Sequence, residues 1–141
     1  MENVAKKQIL ICDDDPNIRR LIAYGLRKQG HEAIESKCAE GGLAVARVMR
    51  PQLIFLDSLN GPISGLDCVK RLKAHPKTRN IPIVMCTAKR DRRYVLDCKK
   101  AGAVAFIAKP FELKDLLDRV EDILSAPTAT ENVLSRYPQL R

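Results

Sequence analysis

The chain has 141 residues, 45% hydrophobic but only 4% aromatic and without Trp. That length favours one domain with an aliphatic core. No apolar run approaches the about 18 residues of a membrane span, and residues 1–7 lack a signal peptide's apolar region, so a membrane span is excluded and a cytoplasmic location is expected. Lys and Arg outnumber Asp and Glu by 25 to 17, a net charge of +8, which suits an anionic partner or simply a solvated basic surface.

Strand and helix patterns alternate along the chain. Residues 8–12 (QILIC) read as a buried strand. Residues 16–29 carry Ile18, Leu21, Ile22, Ala23 and Leu26 at helical spacing, with Asp15 as cap, Pro16 in the first turn and Gly30 at the exit. Residues 31–36 form a weakly signalled strand, and residues 40–49 a helix that Pro51 follows. Residues 53–57 (LIFLD) are the third strand, and a helix from Ser64 or Gly65 to Ala74 turns Leu66, Val69 and Leu72 inward. Residues 83–87 (IVMCT) are a strand, 91–101 a helix closed by Gly102, and 103–108 the last strand. Residues 112–124 repeat Leu113, Leu116, Leu117, Val120 and Leu124, the clearest helical stripe. Residues 126–141 leave the pattern and read as a tail or a cut linker, so the domain is expected over residues 1–125.

These βα units predict an α/β fold: a doubly wound, five-stranded parallel sheet covered by helices on both faces. In such sheets the reactive crevice lies at the carboxyl ends of the strands. Cys12, Cys38, Cys68, Cys86 and Cys98 make no C-x-x-C pair, so reduced structural thiols are expected rather than a disulfide or metal site.

The residues just past each strand are the informative ones. The first strand ends in Cys12-Asp13-Asp14-Asp15, the third in Asp57, the fourth in Thr87-Ala88 and the fifth in Ala108-Lys109-Pro110. Burying an unpaired carboxylate costs several kcal/mol, so Asp57 at the end of an apolar strand needs a partner or a task. Carboxylates packed together raise one another's pKa unless a cation intervenes. Mg²⁺ is the natural one: it prefers oxygen ligands and keeps open positions that accept phosphoryl oxygens. Lys109 can hold another phosphoryl oxygen, the Thr87 hydroxyl can donate to a third, and Asp57 can be the nucleophile that forms an acyl phosphate. Singly, each has a plainer reading: helix caps for Asp13 to Asp15, a strand-end hydroxyl for Thr87, a surface lysine for Lys109. Together, at matching strand ends, they point to phosphoryl chemistry.

Asp13-Asp14, Asp57, Thr87-Ala88 and Lys109-Pro110-Phe111, in that order, resemble the response-regulator receiver domain, the phosphoacceptor of two-component signalling. The resemblance covers about residues 8–125, and Ala101-Gly102-Ala103 fits it. It implies the flavodoxin-like strand order 2-1-3-4-5. It implies a phosphoryl group on Asp57 from a sensor histidine kinase or histidine phosphotransfer protein. One Mg²⁺ would be held by Asp13, Asp14, Asp57 and the Leu59 backbone carbonyl, and Thr87 and Lys109 would hold phosphoryl oxygens. Phe106 would take the aromatic switch position, and Lys109–Pro110 would be cis. The implied activity is a phosphoacceptor that gains and loses its own phosphoryl group, with no separate substrate turnover and so not an enzyme in the usual sense.

Three features depart from the family pattern: Gly61 where Pro is frequent, Phe106 where Tyr is frequent, and a basic balance where many receivers are acidic. Ser58 and Lys89 flank the site as candidate modulators; a cation at Lys89 can attract the donor or shield the phosphate. Arg90, Arg92, Arg93, Lys99 and Lys100 on or beside the fourth helix are read as a face for an acidic downstream protein. With only residues 126–141 beyond the last helix, direct DNA binding is not expected. Competing readings are a phosphorylation-independent pseudo-receiver scaffold with that basic docking surface, a haloacid-dehalogenase-type hydrolase, which wants an Asp where Leu59 stands, and a nucleic-acid binder built on charge alone.

Overall fold

The computed structural model describes residues 6–59, 61–89 and 91–125. Asn60, Arg90 and the expected tail or linker at 126–141 lie outside the described residues. The elements run β1 (Gln8–Cys12), α1 (Pro16–Lys28), β2 (Glu32–Ser36), α2 (Ala39–Met49), β3 (Leu53–Leu56), α3 (Gly65–Ala74), β4 (Ile83–Thr87), α4 (Arg92–Ala101), β5 (Ala105–Ala108) and α5 (Leu113–Ser125). All strand pairs are parallel, in the order β2-β1-β3-β4-β5. This is the flavodoxin-like order.

Each central strand is apolar on both sides because helices cover both faces. Ile9, Ile11, Phe55 and Val84 pack with Ile22 and Leu26 of α1 and Leu116 and Val120 of α5. Their neighbours Leu10, Ile54, Leu56 and Met85 point the other way, against Leu43 of α2, Val69 and Leu72 of α3 and Cys98 of α4. β2 lies at the sheet edge, and its Glu32 and Glu35 are exposed.

Local chemistry sets the helix ends. The Asp15 carboxylate accepts from the amides of Asn17 (2.9 Å) and Ile18 (3.5 Å), and Pro16 starts α1. Ser64 and Asp67 form a reciprocal capping box on α3. Asp91 caps α4 through the Arg93 amide at 2.9 Å. β5 begins two residues later than the apolar run suggests. The Ala103 amide donates to the Cys98 carbonyl at 3.0 Å and so belongs to the exit of α4, where Gly102 has φ 123°. β3 stops at Leu56, but the Asp57 amide still donates to the Cys12 carbonyl at 3.0 Å.

Candidate functional site

Backbone rungs one residue past the strands bring the loop tips together. The Asp13 amide donates to Ser36, that of Asp57 to Cys12, and that of Lys109 to Thr87, each at 3.0 Å. Every key side chain thus leaves the sheet at the same edge, from a backbone fixed by its neighbour. Asp13, Asp57 and Thr87 are buried and Asp14 is exposed. Carboxylate oxygens of Asp13, Asp14 and Asp57 lie within 4.8 Å of one another.

Lys109 answers this negative charge. Its Nζ donates to Asp13 Oδ2 at 2.8 Å and lies 3.4 Å from Asp57 Oδ1. Burial pushes the Asp13 carboxyl up, the Lys109 hydrogen bond and the Asp15 amide pull it back, Asp57 pushes further, and the balance is upward. Burial works against the Lys109 charge, but the Asp13 hydrogen bond and the two carboxylates outweigh it, and its pKa rises. The ammonium therefore stays charged.

The hydroxyl side is built differently. Thr87 Oγ1 donates to Ser58 Oγ at 3.0 Å and accepts from the Lys89 amide at 3.2 Å. Ser58 is thus the direct partner of Thr87. The Lys89 ammonium stands 4.8 Å over the Tyr94 ring, which meets Phe106 edge-on, 6.5 Å between centroids at 79°. Tyr94, which sequence reading passed over, links Lys89 to Phe106. Its place on the inner side of a short helix is the signal that was available.

The loop after Asp57 is tight. Leu59 sits in the left-handed region with φ 57° and its amide faces Asp57 Oδ2 at a long 3.5 Å. Gly65 closes the loop through its amide, 2.6 Å from the Ser58 carbonyl. A Cβ on Gly65 would run into the Asp57 carbonyl and come within 2.9 Å of Ser58 Cα. Gly65 is therefore required for the loop to return against Asp57. In the sequence it reads only as a helix-start residue after Ser64. The Lys109–Pro110 peptide is cis.

The basic residues of α4 stand at its two ends. Arg92 and Arg93 are exposed at its start, where Arg93 Nε pairs with Asp97 at 3.2 Å. Lys99 and Lys100 stand in its last turn, roughly 10 Å further along the axis at 1.5 Å per residue. Arg90 lies outside the described residues. Among the described residues there is no disulfide: Cys12, Cys68, Cys86 and Cys98 are buried thiols and Cys38 is an exposed one.

An all-oxygen cluster of three carboxylates with an adjacent ammonium fits a hard divalent cation and a phosphoryl group. The family comparison agrees with the fold: the chain belongs to the response regulator receiver domain family, whose model matches residues 9–121. Receivers of this family serve two-component systems. Among the curated relatives, the phosphate regulon transcriptional regulatory protein PhoB of Pseudomonas aeruginosa is 36% identical over 118 residues, covering 84% of this chain and 52% of PhoB. The DNA-binding response regulator MtrA of Mycolicibacterium smegmatis is 33% identical over 115 residues, covering 82% of this chain and 49% of MtrA. A CheY-like receiver domain protein from Methanospirillum hungatei superposes with TM-score 0.79 at 28% identity, over 85% of this chain and 94% of that one. The chain spans about half the length of the curated relatives it matches. No helix among the described residues is long and apolar enough to cross a membrane.

Proposed function

We propose that this receiver takes a phosphoryl group on Asp57 in an Mg²⁺-dependent reaction and so switches a protein-interaction face. One observation carries the reading: the buried Asp57 carboxylate stands 3.4 Å from the Lys109 ammonium, with Asp13 and Asp14 oxygens within 4.8 Å. An Asp57 oxygen forms a bond to phosphorus as the P–N bond of a donor phosphohistidine breaks. The bonding pair leaves with the imidazole nitrogen, which takes a proton from solvent. Asp13, Asp14 and Asp57 would hold the Mg²⁺, joined by the Leu59 carbonyl. When bound, the ion neutralises the carboxylates and accepts phosphoryl oxygens.

Lys109, already charged in the pocket, supplies a point charge to another phosphoryl oxygen. The added charge of about −1.5 to −2 draws the Thr87 hydroxyl from Ser58 to the phosphate. Phe106 then fills the space behind Thr87 and carries Tyr94 with it, a shift between two packings of one face. Lys89, at the rim, shields the phosphate from water. Lys89→Glu should shorten the phosphoryl lifetime several-fold, followed as the loss of the phosphoryl mass with time; an unchanged decay rate removes Lys89 from this role.

The donor is a histidine kinase or phosphotransfer protein, and the output is a downstream protein. PhoB and MtrA are named as transcriptional and DNA-binding regulators, which runs against the expectation of no direct DNA binding; for the receiver residues themselves that expectation is kept as a proposal and checked by titration with duplex DNA. The central experiment offers acetyl phosphate with and without Mg²⁺ and reads the mass of the intact protein. Uptake of one phosphoryl group that needs both Mg²⁺ and Asp57 is expected. Unmodified protein under all conditions would instead establish the pseudo-receiver scaffold.

A further inference from the structure

A second charged region lies outside the phosphoacceptor pocket. Residues 70–81 contain Lys70, Arg71, Lys73, Lys77 and Arg79 and no Asp or Glu. The structure sets this segment beside the end of α4. Lys70 and Lys100 line one groove of about 360 Å³, together with Leu66, Asp97 and Ala101. The Lys73 stem crosses Gly102, where a Cβ would lie 2.9 Å from Lys73 Cγ.

Part of the positive charge elsewhere in the molecule is balanced by ion pairs. Arg19 and Arg27 pair with Glu35, Lys6 with Glu32, Lys114 with Asp118 and Arg93 with Asp97. Among the described residues, no ion pair joins Lys70, Arg71, Lys77, Arg79, Lys99 or Lys100 to a carboxylate. Favourable placement at helix C-termini accounts for Arg71, Lys99 and Lys100. It does not account for Lys77 and Arg79, which lie beyond the helix.

The loop that carries those two is braced. Lys73 Nζ donates to the carbonyls of Arg79 (3.0 Å) and Ile81 (2.8 Å). The fully buried Thr78 hydroxyl donates to the Leu72 carbonyl at 2.7 Å. The Lys77 amide donates to His75 Nδ1 at 3.1 Å. The loop backbone is thus ordered before any partner arrives, which lowers the entropy lost on binding.

We propose that the groove between α3 and α4, with the 75–81 loop beside it, docks an acidic polypeptide segment that carries aliphatic side chains between its carboxylates. The cations of the rim match the carboxylates and steer the encounter. Leu66 and Ala101 give the groove apolar surface that an aliphatic side chain covers. Nucleic acid suits it less well: a phosphate backbone has nothing apolar to place there, and no aromatic ring lines the groove for base stacking. Asp57 takes no part, so the inference stands apart from the phosphorylation reading.

The test uses the full chain and fluorescence anisotropy. One labelled synthetic peptide carries Asp and Glu around two leucines four residues apart; a second has the same charge with glycine in place of leucine; a DNA duplex is the third probe. The leucine peptide should bind best and weaken as salt rises. Lys70→Glu combined with Lys100→Glu should weaken it roughly tenfold, through two lost attractions and two new repulsions, with Mg²⁺-dependent phosphoryl uptake unchanged. Arg119→Glu on α5 is the control and should leave binding as it was. The proposal is overturned if the leucine peptide fails to bind, if the glycine peptide or the duplex binds as tightly, or if the double variant binds like the original chain. The peptide comparison reads the apolar contribution without altering the protein.

Discussion

The loop entering α3, residues 57–65, and the loop leaving it, residues 75–81, belong to one layer of the molecule but are built from opposite materials. The first holds a buried carboxylate, a leucine at φ 57° and a glycine pressed against backbone. The second holds exposed cations over a buried threonine and a lysine that bind backbone carbonyls. Strain and unbalanced charge collect around Asp57, and satisfied hydrogen bonds collect in the loop after α3. The largest expected effect separates them. Asp57→Asn, or removal of Mg²⁺ by a chelator, should abolish phosphoryl uptake read by intact mass. Thr78→Val in the second loop should leave uptake at the original rate. Slow uptake in Thr78→Val would show that the two loops are one functional unit.

Gly65→Ala probes the first loop from the stability side. The added methyl would meet the Asp57 carbonyl and Ser58, and overpacking of this kind costs about 2 to 3 kcal/mol. Urea unfolding should show that loss, and uptake should fall with it because the backbone of Asp57 must move. Thr78→Val is expected to cost less, about 1 to 2 kcal/mol, since it leaves the Leu72 carbonyl without its hydroxyl donor but adds no clash. If the order of the two losses is reversed, the bracing after α3 matters more than the close approach before it.

How much of this was legible in the sequence depends on the range of the interaction. Buried parallel strands announce themselves as apolar runs, and α1, α3 and α5 as apolar stripes, α1 with its Asp15 cap, because those signals are local. Asp13, Asp14, Asp57, Thr87 and Lys109 could be grouped because each ends a strand, and strand ends share one edge. The order 2-1-3-4-5 needed a family resemblance, since nothing local says which strand lies beside which. Contacts that depend on side-chain direction stayed hidden: the Thr87–Ser58 hydrogen bond, the Lys89–Tyr94–Phe106 stack and the Gly65 approach. The sequence already places Arg92 and Arg93 near the start of α4 and Lys99 and Lys100 near its end, but not which neighbouring helix they stand beside. In the structure Lys100 lines one groove with Lys70 of α3.

At neutral pH the smallest expected effect lies within α3 itself, between the two loops. Cys68 is buried, and burial pushes its thiol from 9.0 up to about 12, with Cys12 and Glu40 adding to the rise and Arg71 opposing it. In the unfolded chain the thiol loses its proton near the lower value, while in the folded chain it keeps it. Between these pH values the native state holds more protons, so stability falls as pH rises, by up to about 1.4 kcal/mol per pH unit from this one group. The thiol's contribution is complete below pH 9 and gone above about pH 12. Cys68→Ala removes it. The variant should start slightly less stable at pH 7.5, from a small cavity, and then lose less than the original chain between pH 9 and 11 in urea unfolding under reducing conditions. Parallel slopes for the two proteins would mean that the Cys68 thiol titrates alike folded and unfolded. The middle of α3 would then be open to solvent, and the two loops could no longer be treated as the ends of one rigid, dry helix.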